Sequence, residues 1–190
     1  MQQVKFLTQN FGKYDVMSLD SYLSIGGFDP LKRVMERPIE ETIDLVAAAK
    51  IKGRGGAEYD MGRKLAQARE VKGEGKLIQD PFNLSEGLLI SGYCVGATDG
   101  YIYMRGEYRS YRPILLNAIK QAKEKGYLGD NILGKGYSFN LHLYSGAGAY
   151  VCGEGTSLIR SIEGKAGRPR MKPPYIKQSG AFARPTCLSN

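Results

Sequence analysis

Residues 139–158, FNLHLYSGAGAYVCGEGTSL, decide the fold that this sequence predicts. Apolar side chains occupy every second position from Phe139 to Leu143, which is the period of a half-buried β-strand. From Gly153 onward, GEGTSLIRSIEG places apolar residues at helical spacing and predicts a helix. The glycines between the two segments therefore lie at a strand-to-helix junction, where bare backbone can approach a ligand closely. The start of the helix also favours phosphate or other anions.

A second strand and a helix precede this stretch. GYIYMRG, residues 100–106, is rich in β-forming residues and predicts a short strand. YRPILLNAIKQAKEKG, residues 111–126, has apolar residues at helical spacing and ends at a glycine. Strand, helix and strand with short connections form a βαβ unit, in which the two strands run parallel. The sequence therefore predicts the α/β class, with a parallel sheet and helices on both of its faces.

The rest of the chain fits one domain over residues 1–190, with an irregular N-terminal segment (1–37) and a proline-rich C-terminal loop (164–190). Three further helices are predicted, over residues 29–36, 38–50 and 83–97. In the first of them, Asp29 is the expected N-cap and Pro30 the expected first helical residue.

The net charge of +8 comes from 27 Lys and Arg residues against 19 Asp and Glu residues. Such an excess suits nucleic acid, an anionic ligand or an acidic partner. Nucleic acid is disfavoured because the basic residues are scattered and lack interleaved stacking aromatics. There is no apolar run of membrane-spanning length and no secretory signal at the start of the printed sequence, so we expect a cytoplasmic location without direct membrane insertion.

Cysteine and histidine are sparse. Cys94, Cys152 and Cys187 are far apart and form no CxxC pair, so neither a disulfide framework nor a metal site is expected. His142, the only histidine, lies on the polar side of a predicted strand and is interpreted as a surface residue. No nucleophile–base set is present, and no catalytic side chain is predicted.

A second glycine-rich loop, KGRGGA, follows the helix that ends near Lys50. Arg54 lies there among Gly53, Gly55 and Gly56, and free backbone N–H groups with one guanidinium suit a phosphate or a flat ring. The alternative is a helix end followed by an ordinary surface loop. Neither glycine loop matches GxGxxG at a first βα turn or a P-loop, so the residues alone indicate only an anionic ligand such as a nucleotide.

Longer stretches of the chain are similar to one known family. They are GRGGA at 53–57, EGLLISGYCVGATDGYIYMRGEY at 86–108, GYLGDNILGKGYSFNLHLYSGAGAYVCGEGTSL at 126–158, EGKAGRPRMKPPY at 163–175 and RPTCLSN at 184–190. These stretches resemble the flavin-carrying, NADH-oxidising subunit of respiratory complex I and its relatives in NAD-linked hydrogenases and formate dehydrogenases. GAGAYVCGE together with RPRMKPP is the most specific part of the resemblance.

The resemblance implies a Rossmann-like domain that binds FMN and NADH, in which hydride passes from nicotinamide to flavin. It implies the cofactor-binding residues Gly53, Arg54, Gly55, Gly56, Lys64, Tyr150, Gly153, Glu154, Lys172, Tyr175 and Asn190. Lys64 would lie against the flavin, and Asn190 would contact its phosphate. Tyr150, Gly153 and Glu154 would line the same pocket. Lys172 and Tyr175 would contact the dinucleotide.

The resemblance also implies partners. In that family single electrons leave the flavin for a 4Fe–4S cluster, but the printed sequence has no CxxCxxC motif. We therefore expect the cluster on a segment or partner outside this sequence, and we expect iron–sulfur electron-transfer subunits as partners. The location implied is peripheral to a membrane complex.

Three features of the sequence depart from the family pattern. The acidic, glycine-containing run that the family carries between Lys64 and Asp80 is missing, Glu58 replaces a glycine, and the usual pair of glutamates is Glu154 followed by Gly155. Two hypotheses follow. The chain is an NADH dehydrogenase domain with its flavin site, or it is a degenerate relative that keeps the fold and serves as a binding or assembly module.

Overall fold

A computed structural model describes residues 9–52, 60–69, 73–74 and 80–188, and describes only the backbone at 64, 67–69 and 73–74. In the described part the helices are α1 (Leu19–Ser24), α2 (Asp29–Met35), α3 (Ile39–Ala48), α4 (Met61–Arg69), α5 (Pro81–Val95), α6 (Arg112–Glu124) and α7 (Gly155–Ile162). The strands are β1 (Gly73–Glu74), β2 (Asp99–Met104), β3 (Asn140–Ser145) and β4 (Cys187–Leu188).

The central element is the predicted βαβ unit, which the structure confirms. Strands β2 and β3 pair in parallel, in a register that runs from Asp99 opposite Asn140 to Met104 opposite Ser145, and α6 connects them. A second parallel pair joins β1 to β4 and lies beside β2. This second pair was not predicted, because two residues on each side carry no periodic pattern.

Helices cover both faces of the β2–β3 pair. On one face the buried residues of β2, Gly100, Ile102 and Met104, belong to the core formed with α5 and α6. On the other face the Tyr103 hydroxyl lies 3.0 Å from the Ser161 hydroxyl on α7. The predicted α/β class, a Rossmann-like parallel sheet between helices, is therefore confirmed.

A glycine in α5 allows close packing against the residue that precedes β3. A Cβ on Gly92 would lie 2.5 Å from Cε2 of Phe139, a ring that is only 2% exposed. Gly100 meets the same ring, so Phe139 fills a space that two missing side chains leave open. The apolar residue at the start of the stretch that decides the fold is thus a central core residue.

The N-terminal segment contributes α1 and α2 to this core, with Leu19, Phe28 and Leu31 fully buried. The expected N-cap of α2 is wrong by one residue. Phe28 occupies the cap position at a φ of 60°, and Asp29 is the first helical residue, with its carboxylate 2.8 Å from Lys32 Nζ. An aromatic side chain cannot cap a helix, so another group must accept the N–H bonds of its first turn.

Glu86, on α5, is that group. Its Oε2 accepts from the Phe28 N–H at 3.0 Å and from the Tyr22 hydroxyl at 2.8 Å, and its Oε1 accepts from the Leu31 N–H at 3.1 Å. The side chain is 3% exposed, and burial raises the pKa of this carboxyl against the effect of its three donors. A residue far along the chain therefore fixes where α2 begins.

Two further segments differ from prediction. Residues 61–69 form α4 where no helix was predicted, and α5 begins at Pro81, because the Asp80 carboxylate accepts from the Asn83 N–H at 3.3 Å. The proline-rich tail has the expected irregular path but also contains a 3-10 turn at Ala181–Ala183 and strand β4. No helix in the described ranges combines the length and the apolar character needed to cross a membrane.

Candidate nucleotide-binding site

The loops that follow β2 and β3 meet at one edge of the sheet, as expected where two parallel strands end together. A Cβ on Gly106 would lie 3.0 Å from the carbonyl oxygen of Gly146, so a glycine at 106 lets the two loops approach closely. Arg112 Nη1 donates to the Ser145 hydroxyl at 2.9 Å and ties α6 to the end of β3. The two loops therefore form one continuous rim at this edge.

The loop after β3 presents free donors. Within the described residues, the backbone N–H groups of Ala147, Gly148 and Ala149 donate no hydrogen bond to the protein. Gly148 has a φ of 85°, a conformation that turns successive N–H groups towards the same side. The Glu107 carboxylate lies near Gly148 and is paired with Arg105, so it does not leave a net negative charge over these donors.

The next residues form an open, exposed turn. Tyr150 begins a 3-10 turn (Tyr150–Gly153) with 95% of its surface exposed, which leaves its ring free to stack. A Cβ on Gly153 would meet no atom within 4 Å. Cys152 between them is buried and anchors the turn. An exposed aromatic ring beside open backbone is suited to a planar ligand.

Glu154 is the N-cap of α7. Its Oε2 accepts from the backbone N–H groups of Thr156 at 2.9 Å and Ser157 at 3.0 Å, and also from the Thr156 hydroxyl. Two of the N–H groups at the start of α7 are therefore already satisfied by the protein, and an anionic ligand there would have to displace the Glu154 carboxylate. This differs from the expectation that the helix start is open to an anionic ligand.

The second oxygen of Glu154 bonds to Lys172, whose Nζ lies 3.1 Å from Oε1. Partial burial acts to raise the pKa of Glu154, but hydrogen bonds from Thr156, Ser157 and Lys172 outweigh it and lower the pKa to about 2. The carboxylate is therefore ionised at neutral pH. Two residues predicted for the site, Glu154 and Lys172, are in direct contact.

Lys172 belongs to the segment that crosses the start of α7, residues 167–176, which we call the strap. Met171 beside it is 92% exposed and Tyr175 is 51% exposed. The Tyr175 backbone N–H donates to Gln178 Oε1 at 3.0 Å, and this turn holds the aromatic ring at the surface. The strap thus brings Lys172 to the helix start that follows the loop carrying Tyr150, and it carries an exposed aromatic ring three residues further on.

The other predicted half of the site, Gly53, Arg54, Gly55 and Gly56, lies outside the described residues, as do Asn190 and the side chain of Lys64. The two ends of that loop are described. Lys52 and Asp60 form an antiparallel bridge, and the Met61 N–H donates to the Ile51 carbonyl at 2.7 Å. The two ends of the glycine loop are therefore held next to each other. A contact between that loop and Tyr150 stays a prediction.

Gly62 and His142 have structural explanations. Gly62 lets α4 lie against Ala47 of α3, since a Cβ there would overlap the Ala47 backbone. His142 is a surface residue, as interpreted, and its Nε2 lies 3.0 Å from Asp99 Oδ1. In the described residues, no group of three or more His, Cys, Asp or Glu side chains could hold a metal ion.

Sequence reasoning missed Thr156 and Arg170. The Arg170 backbone N–H donates to the Thr156 hydroxyl at 2.9 Å, which ties the strap to α7. A threonine two residues after a capping glutamate was visible in the sequence. Its partner is a backbone group fourteen residues away, and no side-chain pattern can reveal such a bond.

A parallel sheet whose carboxyl edge carries glycine loops, unpaired backbone donors, an exposed ring and a lysine defines a nucleotide-binding α/β domain. A family model described as the Nuo51 FMN-binding domain matches residues 75–190. This chain belongs to that family, and the family resemblance predicted from the sequence is confirmed.

Relatives agree over almost the whole chain. An NADH-quinone oxidoreductase subunit of Aquifex aeolicus is 41% identical over 98% of this chain and 48% of its own length. The HndC polypeptide of the NADP-reducing hydrogenase of Solidesulfovibrio fructosivorans is 39% identical over 100% of this chain and 42% of its own length. The chain thus spans about half the length of the curated relatives it matches.

A solved structure shows the same fold. A chain of an NAD+-reducing NiFe hydrogenase in its H2-reduced state superposes with a TM-score of 0.72 and 28% identity. The match covers 90% of this chain and 32% of that chain. The shared fold therefore extends well beyond the central sheet pair.

Proposed function

We propose that this chain is the FMN- and NADH-binding part of an NADH-dependent oxidoreductase that passes electrons through flavin to an iron–sulfur acceptor. The family match over residues 75–190 carries the proposal, because it includes both the loop after β3 and the strap. The relatives named above are an NADH-quinone oxidoreductase subunit and a hydrogenase subunit, which is consistent with this activity.

The described residues fit FMN. Its phosphate and ring oxygens are acceptors, and the backbone N–H groups of 147–149 are donors without protein partners in the described part of the chain. Its ring is planar, and Tyr150 offers an exposed aromatic face beside the open backbone of Gly153. When bound, FMN supplies the chemistry that accepts a hydride and releases single electrons, whereas the protein binds and orients.

Each part of the chain has a distinct role in this proposal. The loop after β3 holds the flavin from one side and the loop at 53–56, with Lys64, from the other. Lys172 keeps one donor on Glu154 and offers another to a phosphate or ribose oxygen of the dinucleotide, and Tyr175 stacks on one of its rings. No side chain of this chain needs to act as a nucleophile or a base.

Iron–sulfur electron-transfer subunits are the proposed partners. The two named relatives are subunits of larger enzymes by their descriptions. We propose a cytoplasmic location, peripheral to a membrane complex, for the assembly that contains this chain.

Flavin titration tests the proposal. The purified chain is titrated with FMN and then mixed with NADH without oxygen. We expect saturable FMN binding and bleaching of the oxidised-flavin absorbance by NADH. Replacing Tyr150 by Ala should weaken FMN by about tenfold through lost stacking, whereas Phe11→Ala, which removes another exposed ring far along the chain, should leave FMN affinity unchanged.

The outcomes separate the two hypotheses. Bleaching supports the NADH dehydrogenase domain. Absence of FMN binding at millimolar concentration, or equal effects of the two aromatic substitutions, contradicts the proposed site and favours a degenerate module.

A further inference from the structure

The first turn of α7 holds the strap at two points. Glu154 Oε1 accepts from Lys172 Nζ at 3.1 Å, and the Thr156 hydroxyl accepts from the Arg170 backbone N–H at 2.9 Å. These bonds alternate along the strap with the exposed side chain of Met171. The strap therefore follows the helix start over three consecutive residues.

Thr156 links the two points. Its hydroxyl donates to Glu154 Oε2 while it accepts from Arg170, and the residue is only 2% exposed. Because burial excludes water, these two bonds fix the orientation of the hydroxyl. Through these two bonds, the Thr156 hydroxyl couples the position of the strap backbone to that of the start of α7.

The two ends of the strap also pack close to the start of α7. A Cβ on Gly167 would lie 2.8 Å from Cys152 Sγ, so the beginning of the strap lies directly on the buried cysteine. A Cβ on Gly155 would lie 2.7 Å from Leu188 Cδ2 and 3.9 Å from Ile176 Cδ1. The beginning of the strap therefore packs on the turn that precedes α7, and its end approaches the first residue of α7.

We propose that Thr156 is a positioning residue that holds the strap so that Lys172 and Tyr175 face the dinucleotide. This inference rests on the proposed function. A lysine has a long flexible side chain, and a backbone held in place reduces the conformational freedom that binding must remove. Thr156 itself contacts neither FMN nor NADH in this proposal.

Two variants of Thr156 test the role of the hydroxyl. Thr156→Val keeps the shape and removes both hydrogen bonds, whereas Thr156→Ser keeps the hydroxyl. We expect Thr156→Val to raise the Kd for NADH by about five- to tenfold, the effect of roughly one hydrogen bond. The Kd of Thr156→Ser for NADH should stay within about twofold of the wild-type value. In both variants, the Kd for FMN and the limiting rate of flavin bleaching should also stay within about twofold.

Trypsin gives a readout that needs no cofactor. Within the strap, the bonds after Arg168 and Lys172 precede proline and resist trypsin, so the bond between Arg170 and Met171 is the cleavable one. We expect faster cleavage at this bond in Thr156→Val than in the wild type and Thr156→Ser, identified by mass spectrometry of the fragments.

A second pair of variants avoids the buried position. Arg170→Pro removes the N–H that Thr156 accepts, and Arg170→Ala removes the side chain but keeps the N–H. Relative to Arg170→Ala, Arg170→Pro should raise the Kd for NADH by a factor similar to that expected for Thr156→Val. This comparison remains valid if circular dichroism shows that Thr156→Val does not fold.

The results distinguish this inference from the proposed function. If the wild type binds FMN and is bleached by NADH, but Thr156→Val and Arg170→Pro leave the Kd for NADH unchanged, the positioning role is overturned and the proposed function stands. If cleavage rises while NADH affinity is unchanged, the strap does not serve the dinucleotide. If the wild type is not bleached, the proposed function fails, and this inference fails with it.

Discussion

Two glutamates in this molecule each satisfy the start of a helix, and they do so in opposite environments. Glu86 reaches the start of α2 from α5, through the core, and is 3% exposed. Glu154 is the N-cap of its own helix, α7, with a side chain 37% exposed. Burial raises the pKa of Glu86, whereas the hydrogen bonds and the Lys172 ammonium lower that of Glu154 to about 2.

Glu86 therefore stabilises the fold, whereas Glu154 also holds a surface segment in place. Both oxygens of Glu86 accept from core groups, so the carboxylate specifies where α1 and α2 pack, and at 3% exposure it is out of reach of a ligand. Glu154 uses one oxygen for the helix and the other for the strap. The second arrangement can transmit a change in the helix start to residues that face solvent.

The strongest test of this comparison is Glu86→Gln. The amide presents an N–H₂ group where the carboxylate has an acceptor, so at least one core N–H or hydroxyl loses its partner. We expect the free energy of unfolding to fall by about 3 kcal/mol, measured by urea denaturation.

Glu124→Gln is the matched control for that change. Glu124 is exposed, 3.8 Å from Lys120, and its substitution should alter stability by less than about 0.5 kcal/mol. Equal losses of stability at the two positions would show that the Glu86 carboxylate is not needed to stabilise the core.

Removing the Glu154 side chain should lower the free energy of unfolding by less than Glu86→Gln does. Glu154→Ala removes an N-cap acceptor whose side chain is 37% exposed, so water can enter the space that it leaves, and we expect a loss of about 1 kcal/mol of stability in the same measurement. A loss as large as that of Glu86→Gln would mean that Glu154 is a core determinant, which contradicts the comparison.

The smallest effect is a pH dependence. Glu154 has an ordinary pKa of 4.5 and a folded-state pKa of about 2, so its charge contributes stability above pH 4.5, and this contribution is lost as the pH falls towards 2. The difference in stability between the wild type and Glu154→Gln should therefore shrink over that range in thermal melts. A difference that is constant with pH would show that the charge contributes nothing.

The sequence predicted the regular centre of this fold well. The alternating pattern that ends at Leu143 and the helical pattern of α6 are periodic because one side of each faces the core, and both were found close to their observed bounds. The start of α2 was missed because Glu86, which determines it, is distant in sequence. Strands β1 and β4 are too short to carry a pattern of their own.

The candidate site was predicted from family resemblance more than from pattern. Resemblance named Glu154 and Lys172, and the structure brings them into contact. It did not indicate that Glu154 would satisfy the start of α7, nor that Thr156 would hold the strap. The bond between Thr156 and the strap depends on the path of a proline-rich segment, which has no hydrophobic period from which a path could be derived.

The pairing of β1 with β4 has a consequence for how the molecule forms. It joins residues 73–74 to residues 187–188, across most of the chain, through a short parallel ladder. Closing so long a loop costs chain entropy before the few bonds of the ladder compensate for it. This ladder should therefore assemble last, after the βαβ unit, and in native-state hydrogen exchange its amides should be among the first to open.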